Sequence, residues 1–172
     1  MPVIVRVSVT GPKTWTRIHY MYRESEFGGR KYLWPCTTER SEVVVEEGEH
    51  IIVEVYRKSS PVWAGLFRAR RGARAEVDYD VIYKVIVENA EFVEQLTEEK
   101  LSELKQAVLD EGYALARDPD KATLNAYALL LKRLSEQSTE DTTVELRIKV
   151  PRSRLSEVLE KLRELGVEVT VQ

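Results

Sequence analysis

Residues 41–56 read SEVVVEEGEHIIVEVY, and this stretch decides the fold class of the first half of the chain. The runs VVV and IIVEV, on the two sides of Gly48, consist of Val and Ile except at one position, and residues of this type favour strands. Gly48 itself lies among charged residues, where a turn is expected. The stretch therefore predicts two short strands broken at Gly48.

The segments before this stretch show the same two-residue period. Valine occupies alternate positions of the first predicted strand, at Val3, Val5, Val7 and Val9. Several short strands separated by glycine-containing turns predict an antiparallel β-sandwich or a barrel-like domain over residues 1–88. The phrase VVVEEGEHIIVEV, residues 43–55, resembles the strand–turn–strand of small immunoglobulin- or transthyretin-like sandwiches, and this resemblance implies a sandwich but no particular function.

The period changes to that of helices in the second half. The spacing of apolar residues predicts helices over residues 98–116, 119–136 and 152–165, and alternation predicts strands over 143–150 and 167–171. Asp118 is a candidate N-cap, Pro119 fits the first helical position, and Gly166 ends the last helix.

The order of these elements predicts an α+β protein of two domains. A β-rich, sandwich-like domain is expected at residues 1–88, and an α/β domain at 89–172. The second domain begins with a helical hairpin and ends with a β-α-β unit whose two strands should be parallel with a right-handed crossover. Acidic residues outnumber basic ones in the second half and the reverse holds in the first, which also indicates two units.

A cluster of arginines follows the opening stretch, in LFRARRGARAEV, residues 66–77. A three-residue turn of Arg70, Arg71 and Gly72 would give a β-hairpin, because this register puts only apolar residues on one face. That inner face consists of Phe67, Ala69, Ala73, Ala75 and Val77. Arg68 and Arg74 would then lie opposite each other on the outer face.

The four arginines are candidate anion or nucleic-acid contacts. Guanidinium groups bind phosphate and carboxylate through paired hydrogen bonds, so Arg68, Arg70, Arg71 and Arg74 together could hold a phosphate backbone. Two alternatives remain open. The charged edge meets only water and discourages strand aggregation, or it meets the acidic second half of the chain.

The segment WTRIHYMYR, residues 15–23, has two unlike faces. Ile18, Tyr20 and Tyr22 share one face, and the other holds Trp15, Arg17, His19, Met21 and Arg23. Aromatic rings interleaved with cations stack bases and neutralise phosphates, so Trp15, Arg17 and His19 are candidate nucleic-acid contacts. The same face would serve equally well packed against the helices of the second half.

The sequence contains no specific motif for catalysis, metal binding or cofactor binding. His19, His50 and Cys36 are its His and Cys residues, and no two of them have the spacing of a metal-binding pair. It has no phosphate-binding glycine loop, dinucleotide fingerprint or nucleophile elbow. We therefore expect no cofactor, no metal and no catalytic residue, which favours a non-enzymatic protein over an enzyme of unrecognised class.

Composition indicates the kind of partner, organism and compartment to expect for the protein. The 172-residue chain has a formal net charge of −3, which argues against a binder that is basic over its whole surface. Arginine outnumbers lysine, and Met and Cys are scarce, which fits a heat-adapted organism. A single cysteine and the lack of a run of about 18 apolar residues predict a soluble, cytoplasmic protein without membrane contact.

Three functions remain open at this stage. The first is a non-enzymatic binding or assembly module with a protein partner or a second copy, because helix should cover only one face of the C-terminal sheet. The second is a nucleic-acid-binding accessory protein that uses the arginine hairpin. The third is an enzyme of unrecognised class.

Overall fold

The computed structural model describes residues 1–140 and 146–171, with side chains in the first range described through residue 137. The chain divides into two compact units, Met1–Glu140 and Asp141–Gln172. The strands of the first unit are β1 (Pro2–Val9), β2 (Thr14–Phe27), β3 (Arg30–Thr38), β4 (Glu42–Glu46), β5 (His50–Arg57), β6 (Ser60–Asp78) and β7 (Lys84–Gln95). Its helices are α1 (Glu98–Asp110) and α2 (Pro119–Glu140).

The seven strands form one curled antiparallel sheet in the order β3-β2-β5-β6-β7-β1-β4. Its inner face buries a cluster of strand side chains that includes Ile18 and Phe67. On its outer face, residues such as Ile52 pack against Tyr127 and its neighbours on the helices. The predicted mixture of helices and antiparallel strands is therefore confirmed, although the described strands form one curled sheet and not the two facing sheets of a sandwich.

The first unit extends past the predicted boundary between residues 88 and 89. That position lies inside β7, which pairs with β6 on one side and with β1 on the other. The helices that follow also pack on this sheet. The physical reason is that β7 satisfies backbone groups of two neighbouring strands, while α1 and α2 cover apolar side chains that would otherwise meet water.

Two helices form where the sequence predicts them, with shifted ends. α1 ends at Asp110 and not at residue 116, because Gly112 adopts a left-handed conformation with φ of 88°. Glycine in this conformation is a common way for a helix to end. α2 begins at the predicted Pro119 and continues to Glu140, past the predicted end at residue 136.

The second unit contains a 3-10 turn at Arg152–Arg154 followed by α3 (Leu155–Glu164), within the predicted helix. Residues 143–145 of the first predicted strand lie outside the described residues. Residues 146–150 and 167–171 are described, and the structure assigns neither segment to a strand. Two strands under one helix bury little apolar surface, so they are marginal without further partners.

The predicted hairpin turn at residues 70–72 is wrong. β6 continues through these residues as one strand and pairs first with β5 and then with β7. A wide bulge accommodates the extra residues: Gly72 has φ of 83°, and its N–H donates to Asn89 Oδ1 at 2.9 Å. The bulge keeps Ala69 and Ala75 on the buried inner face. Most of the predicted apolar face is therefore present, but it belongs to one continuous strand and not to a hairpin.

A second bulge, at Met21, divides β2. Its φ is 59°, and the pairing with β3 shifts there from Tyr20–Cys36 to Tyr22–Pro35. Because strand side chains alternate, one extra residue exchanges the faces of everything that follows. Tyr20 therefore packs on the inner core, whereas Tyr22 packs on the helical side with residues of α1 and α2.

Beyond this bulge, the described sheet has only two strands side by side. β5 pairs with Thr14–Tyr20 and with no later part of β2. We call the two-stranded segment that continues, residues 21–35, the arm. Leu33 and Tyr22 on one face of the arm pack against the helical layer. The other face of the arm forms the groove described below.

Candidate functional site

The predicted contacts on β2 before the bulge lie in a buried polar network. His19 is fully buried and packs on the ring of Tyr127 in α2, with centroids 5.0 Å apart. Its Nδ1 is 2.8 Å from Thr37 Oγ1, and its Nε2 contacts Glu54 Oε1. Glu54, which is 5% exposed, also accepts hydrogen bonds from the hydroxyls of Tyr127 at 3.1 Å and Tyr56 at 3.3 Å. The network is thus satisfied within the protein.

The network also changes the titration of its tyrosines. Burial and the neighbouring Glu54 carboxylate raise the pKa of Tyr127 above its usual range. The same two causes raise the pKa of Tyr56 to about 12. Both phenols therefore stay protonated above the pH at which free tyrosine ionises, and they donate hydrogen bonds to the carboxylate; the bond from Tyr127 ties α2 to the sheet.

Trp15 and Arg17 also have partners within the protein. Trp15 stacks on Tyr56 with centroids 4.4 Å apart, and the Arg17 guanidinium lies 5.1 and 5.0 Å from the centroids of the two rings. Arg17 pairs with Glu39 at 3.1 Å, and the Trp15 indole N–H donates to the Lys58 carbonyl. This part of the predicted face therefore packs as a closed stack on the sheet.

Two of the predicted arginines on β6 lie at a polar cleft beside β7. Arg68 and Arg70 approach the carboxylate of Glu91 at 3.8 and 3.1 Å. The cleft has a volume of about 230 Å³ and also includes Glu47. Burial and the Arg68 guanidinium lower the pKa of the adjacent His50. The positive charge of this cleft is therefore offset by acidic side chains.

The other two arginines of β6 point to separate partners. Arg74 pairs with Glu76 at 2.6 Å, and Arg71 donates to the Pro2 carbonyl at 2.6 Å. Arg74 lies opposite Glu88 of β7 and not opposite Arg68, since the strand does not reverse between them. The structure therefore spreads the four arginines along the sheet and gives each one an oxygen partner.

The arm carries a groove of about 420 Å³ with an aromatic wall. Tyr32 and Trp34 alternate along β3 and stack, with centroids 5.8 Å apart and planes inclined by 20°. The Trp34 indole N–H donates to Ser25 Oγ at 2.9 Å, which fixes the ring. Phe27, at the tip of the arm, is 79% exposed. The facing wall comes from the start of α2 and the residues before it: Ala116, Arg117, Asp118 and Lys121.

Four cations surround this aromatic wall: Arg23, Arg30, Arg117 and Lys121. The last two line the groove, and the strand register places Arg23 opposite Trp34 and Arg30 opposite Phe27, on the same face. Within residues 1–137 and 146–171, no carboxylate forms an ion pair with any of the four. The lining carboxylate, Asp118, accepts hydrogen bonds from two amides in the first turn of α2.

A buried asparagine attaches the second wall of the groove to the arm. Asn125 Nδ2 donates to the Leu33 carbonyl at 2.7 Å, and its Oδ1 accepts from the Ala116 N–H at 2.9 Å. The Ala114 N–H donates to the Lys31 carbonyl at 2.8 Å. The loop between α1 and α2 is thus bonded along the edge of β3, so backbone contacts fix the distance between the two walls.

The groove combines flat apolar rings with unpaired positive charge. Such a surface can bind a ligand that carries both planar rings and anionic groups, through stacking and charge-assisted hydrogen bonds. In the part of the chain that the structure describes, no group of three or more His, Cys, Asp or Glu side chains is placed to hold a metal ion. None of the described helices has the length and hydropathy to cross a bilayer.

The sequence does not predict this groove, because strict alternation along β2 would continue through Met21. Unbroken alternation would put Arg23 on the face of Trp15 and His19, whereas the bulge moves it to the face of Trp34. Two signals were present: the alternating rings in KYLW, residues 31–34, and the Gly-Gly turn that precedes them. The contribution of α2 has no local signal, because it depends on tertiary packing.

No protein-family model matches the chain, and no curated protein and no solved structure matches it.

Proposed function

We propose that the protein is a non-enzymatic binding module that holds single-stranded nucleic acid in the groove of the arm. One observation carries the proposal: unpaired cations surround the stacked rings of Tyr32 and Trp34, whereas the arginines of β6 have oxygen partners. Proteins that bind single strands combine a positively charged groove with aromatic rings on which bases stack.

The chemistry of the groove favours a nucleotide chain over other anions. Stacking requires a planar ring, and each base supplies one, while the phosphates between bases would meet Arg30 and Arg117. The volume of about 420 Å³ is within the range of small-ligand sites, so the groove would hold one or two nucleotides of a longer strand. A net charge of −3 over the whole chain does not oppose this, since four cations without a carboxylate partner among the described residues lie around the groove.

Salt dependence of oligonucleotide binding tests the proposal. We expect fluorescently labelled single-stranded RNA and DNA of ten to twenty nucleotides to bind with a log–log salt slope of about −3, the value for four neutralised phosphates on a single strand. A variant with Arg23, Arg30, Arg117 and Lys121 changed to Ala should lose the binding and the slope. The matched control changes the four arginines of β6 to Ala and should keep both.

Two outcomes decide between the arm and the arginines of β6. Loss of binding in the β6 variant with binding retained in the arm variant would support the arginine strand as the contact and overturn the groove. Absence of binding to any oligonucleotide at low salt would overturn nucleic acid as the ligand.

A role in assembly is favoured by an observation on the second unit. Its segments on both sides of α3 expose apolar side chains, at Leu146, Ile148, Leu165, Val167, Val169 and Val171. None of the described residues of this unit is buried. We propose that residues 146–171 form strands on both sides of α3 when they pair with the same residues of a second copy, which would bury these side chains.

Light scattering over a range of protein concentrations tests this second role. We expect a dimer, and we expect Ile148→Lys together with Val169→Lys to give a monomer, because both changes put charge on the paired face. The control Arg147→Ala together with Glu168→Ala changes the neighbouring polar positions and should remain a dimer. A wild-type protein that is monomeric at every concentration would contradict the proposal.

A further inference from the structure

The exposure of Phe27 indicates a specific mode of binding in the groove. This ring is 79% exposed. It lies at the end of β2, opposite Arg30, and the aromatic wall begins at Tyr32, two residues further along β3. In the part of the chain that the structure describes, no aromatic ring stacks on it. We propose that Phe27 and Tyr32 hold one unpaired base between them, an inference that rests on the proposed binding of single strands.

The strand register places the two residues at a suitable separation. Ser25 lies opposite Tyr32 and Phe27 lies opposite Arg30, so Phe27 and Tyr32 are diagonal neighbours on one face. Diagonal neighbours in an antiparallel pair are about 7–8 Å apart. An inserted base needs two stacking distances of about 3.4 Å each, the spacing of bases along a strand. Two rings that project from positions at this spacing leave room for one flat ring between them, and a base pair within a stacked duplex cannot enter.

Two residues flank this diagonal pair of rings, and one of them is small while the other is a cation. Ser25, opposite Tyr32, leaves room on the β2 side of the gap, and its hydroxyl already accepts from Trp34. Arg30 lies on β3 next to Tyr32 on the same face, where it can contact the phosphate of the inserted nucleotide. The Gly28–Gly29 turn, with φ of 59° and 76°, joins Phe27 to Arg30 and fixes their pairing at the tip.

Base insertion makes Phe27 the residue that selects single strands over duplexes and over polyanions without bases. The closing experiment compares three probes: a single-stranded oligonucleotide, the same oligonucleotide with abasic positions, and the matching duplex. We expect the wild-type protein to bind the first about 5- to 150-fold more tightly than the second, the range for one stacked base. The duplex should bind no more tightly than the abasic strand.

The variant Phe27→Leu should reduce affinity for the normal single strand by the same factor and leave affinity for the abasic strand unchanged. Phe27→Trp should restore binding, since it replaces one flat ring by another. Ile82→Ala is the control, because Ile82 is also an exposed apolar residue but lies in another turn. A direct readout is a 2-aminopurine in the oligonucleotide, whose fluorescence should be quenched by the wild type and not by Phe27→Leu.

The possible failures are distinguishable. If no oligonucleotide binds, the proposed function fails, and base insertion fails with it. If single strands bind with the expected salt slope but abasic strands and Phe27→Leu bind equally well, the groove is an electrostatic contact and base insertion is wrong. Equal binding of duplex and single strand would also overturn the insertion.

Discussion

β2 carries aromatic rings and arginines on both sides of the Met21 bulge, and the two sides have opposite surroundings. Before the bulge, His19 and Arg17 belong to a network in which hydroxyls, carboxylates and rings have partners within the protein. After the bulge, Arg23 and Phe27 lie at a groove whose cations have no carboxylate partner among the described residues. Both sides carry aromatic and cationic side chains, but only those before the bulge have their hydrogen-bond and ion-pair partners within the described part of the protein.

This difference separates stability from binding. A buried group that is fully hydrogen-bonded stabilises the fold, and removing one partner leaves the others unsatisfied. A half-exposed ring beside an unpaired cation contributes little to stability and is available to a ligand. Substitutions in the network should therefore change the free energy of unfolding, whereas substitutions in the groove should change affinity.

The largest effect should come from Glu54→Ala. It leaves His19 and two tyrosine hydroxyls without their acceptor, and breaking a buried pair in this way costs about 3–5 kcal/mol. Urea unfolding followed by circular dichroism measures the change. The control Glu39→Ala removes only the exposed partner of Arg17 and should cost about 1 kcal/mol or less. Equal effects of the two changes would contradict the distinction between network and surface.

Deletion of Met21 should have the next largest effect, and it acts on the groove. Without the extra residue, Arg23 and Phe27 would turn towards the helical layer, so affinity for single strands should fall at least about tenfold, through the lost stacking. The control Met21→Gly keeps the bulge and removes the strain of positive φ at a non-glycine residue, so it should bind normally. Normal binding by the deletion variant would show that the arm face is not the contact.

Alkaline pH should weaken the network. The pKa of Tyr56 is raised from 10 to about 12 in the folded protein and that of Tyr127 is raised further, so folding favours their protonated forms. The contribution of Tyr56 to stability is therefore fully present below pH 10 and is lost as pH rises through about 12. Urea unfolding between pH 9 and 12 measures the loss. Tyr56→Phe should show a shallower decline, and an unchanged slope would contradict this cause.

The smallest effect should come from Arg70→Ala. Its ion pair with Glu91 is exposed, so the change in the free energy of unfolding should be about 1 kcal/mol or less. Affinity for single strands should not change, because the residue is not part of the groove. A clear drop in affinity, measured by fluorescence anisotropy, would show that the β6 arginines take part in binding.

The sequence predicts the elements of this fold better than their arrangement. Alternation and helical spacing locate most of the strands and the helices, because these periods are local. The bulges at Met21 and Gly72 are not visible as periods, since each depends on a partner strand or on a side chain such as Asn89. Without the bulge at Met21, the sequence predicts the wrong face for Arg23. Without the bulge at Gly72, it predicts a hairpin where β6 is one long strand.

The same limit applies to the candidate site. Composition singled out Arg68 to Arg74, where charge is dense in the sequence, but density does not show whether a carboxylate lies across the sheet. The cations at the groove come from residues 23–121, far apart in sequence, and only packing brings them together. The alternative that the face of Trp15 and His19 packs against the helices agrees with the contact of His19 with Tyr127 in α2.

The indole N–H resonances of the three tryptophans provide the most direct test of the central claim. Trp34 lies in the groove wall, Trp15 in the closed stack with Tyr56, and Trp63 in the inner core. Titration of a single-stranded oligonucleotide into the ¹⁵N-labelled protein should shift the Trp34 resonance and leave those of Trp15 and Trp63 in place. Shifts at Trp15 without a shift at Trp34 would place the contact before the bulge and contradict the account.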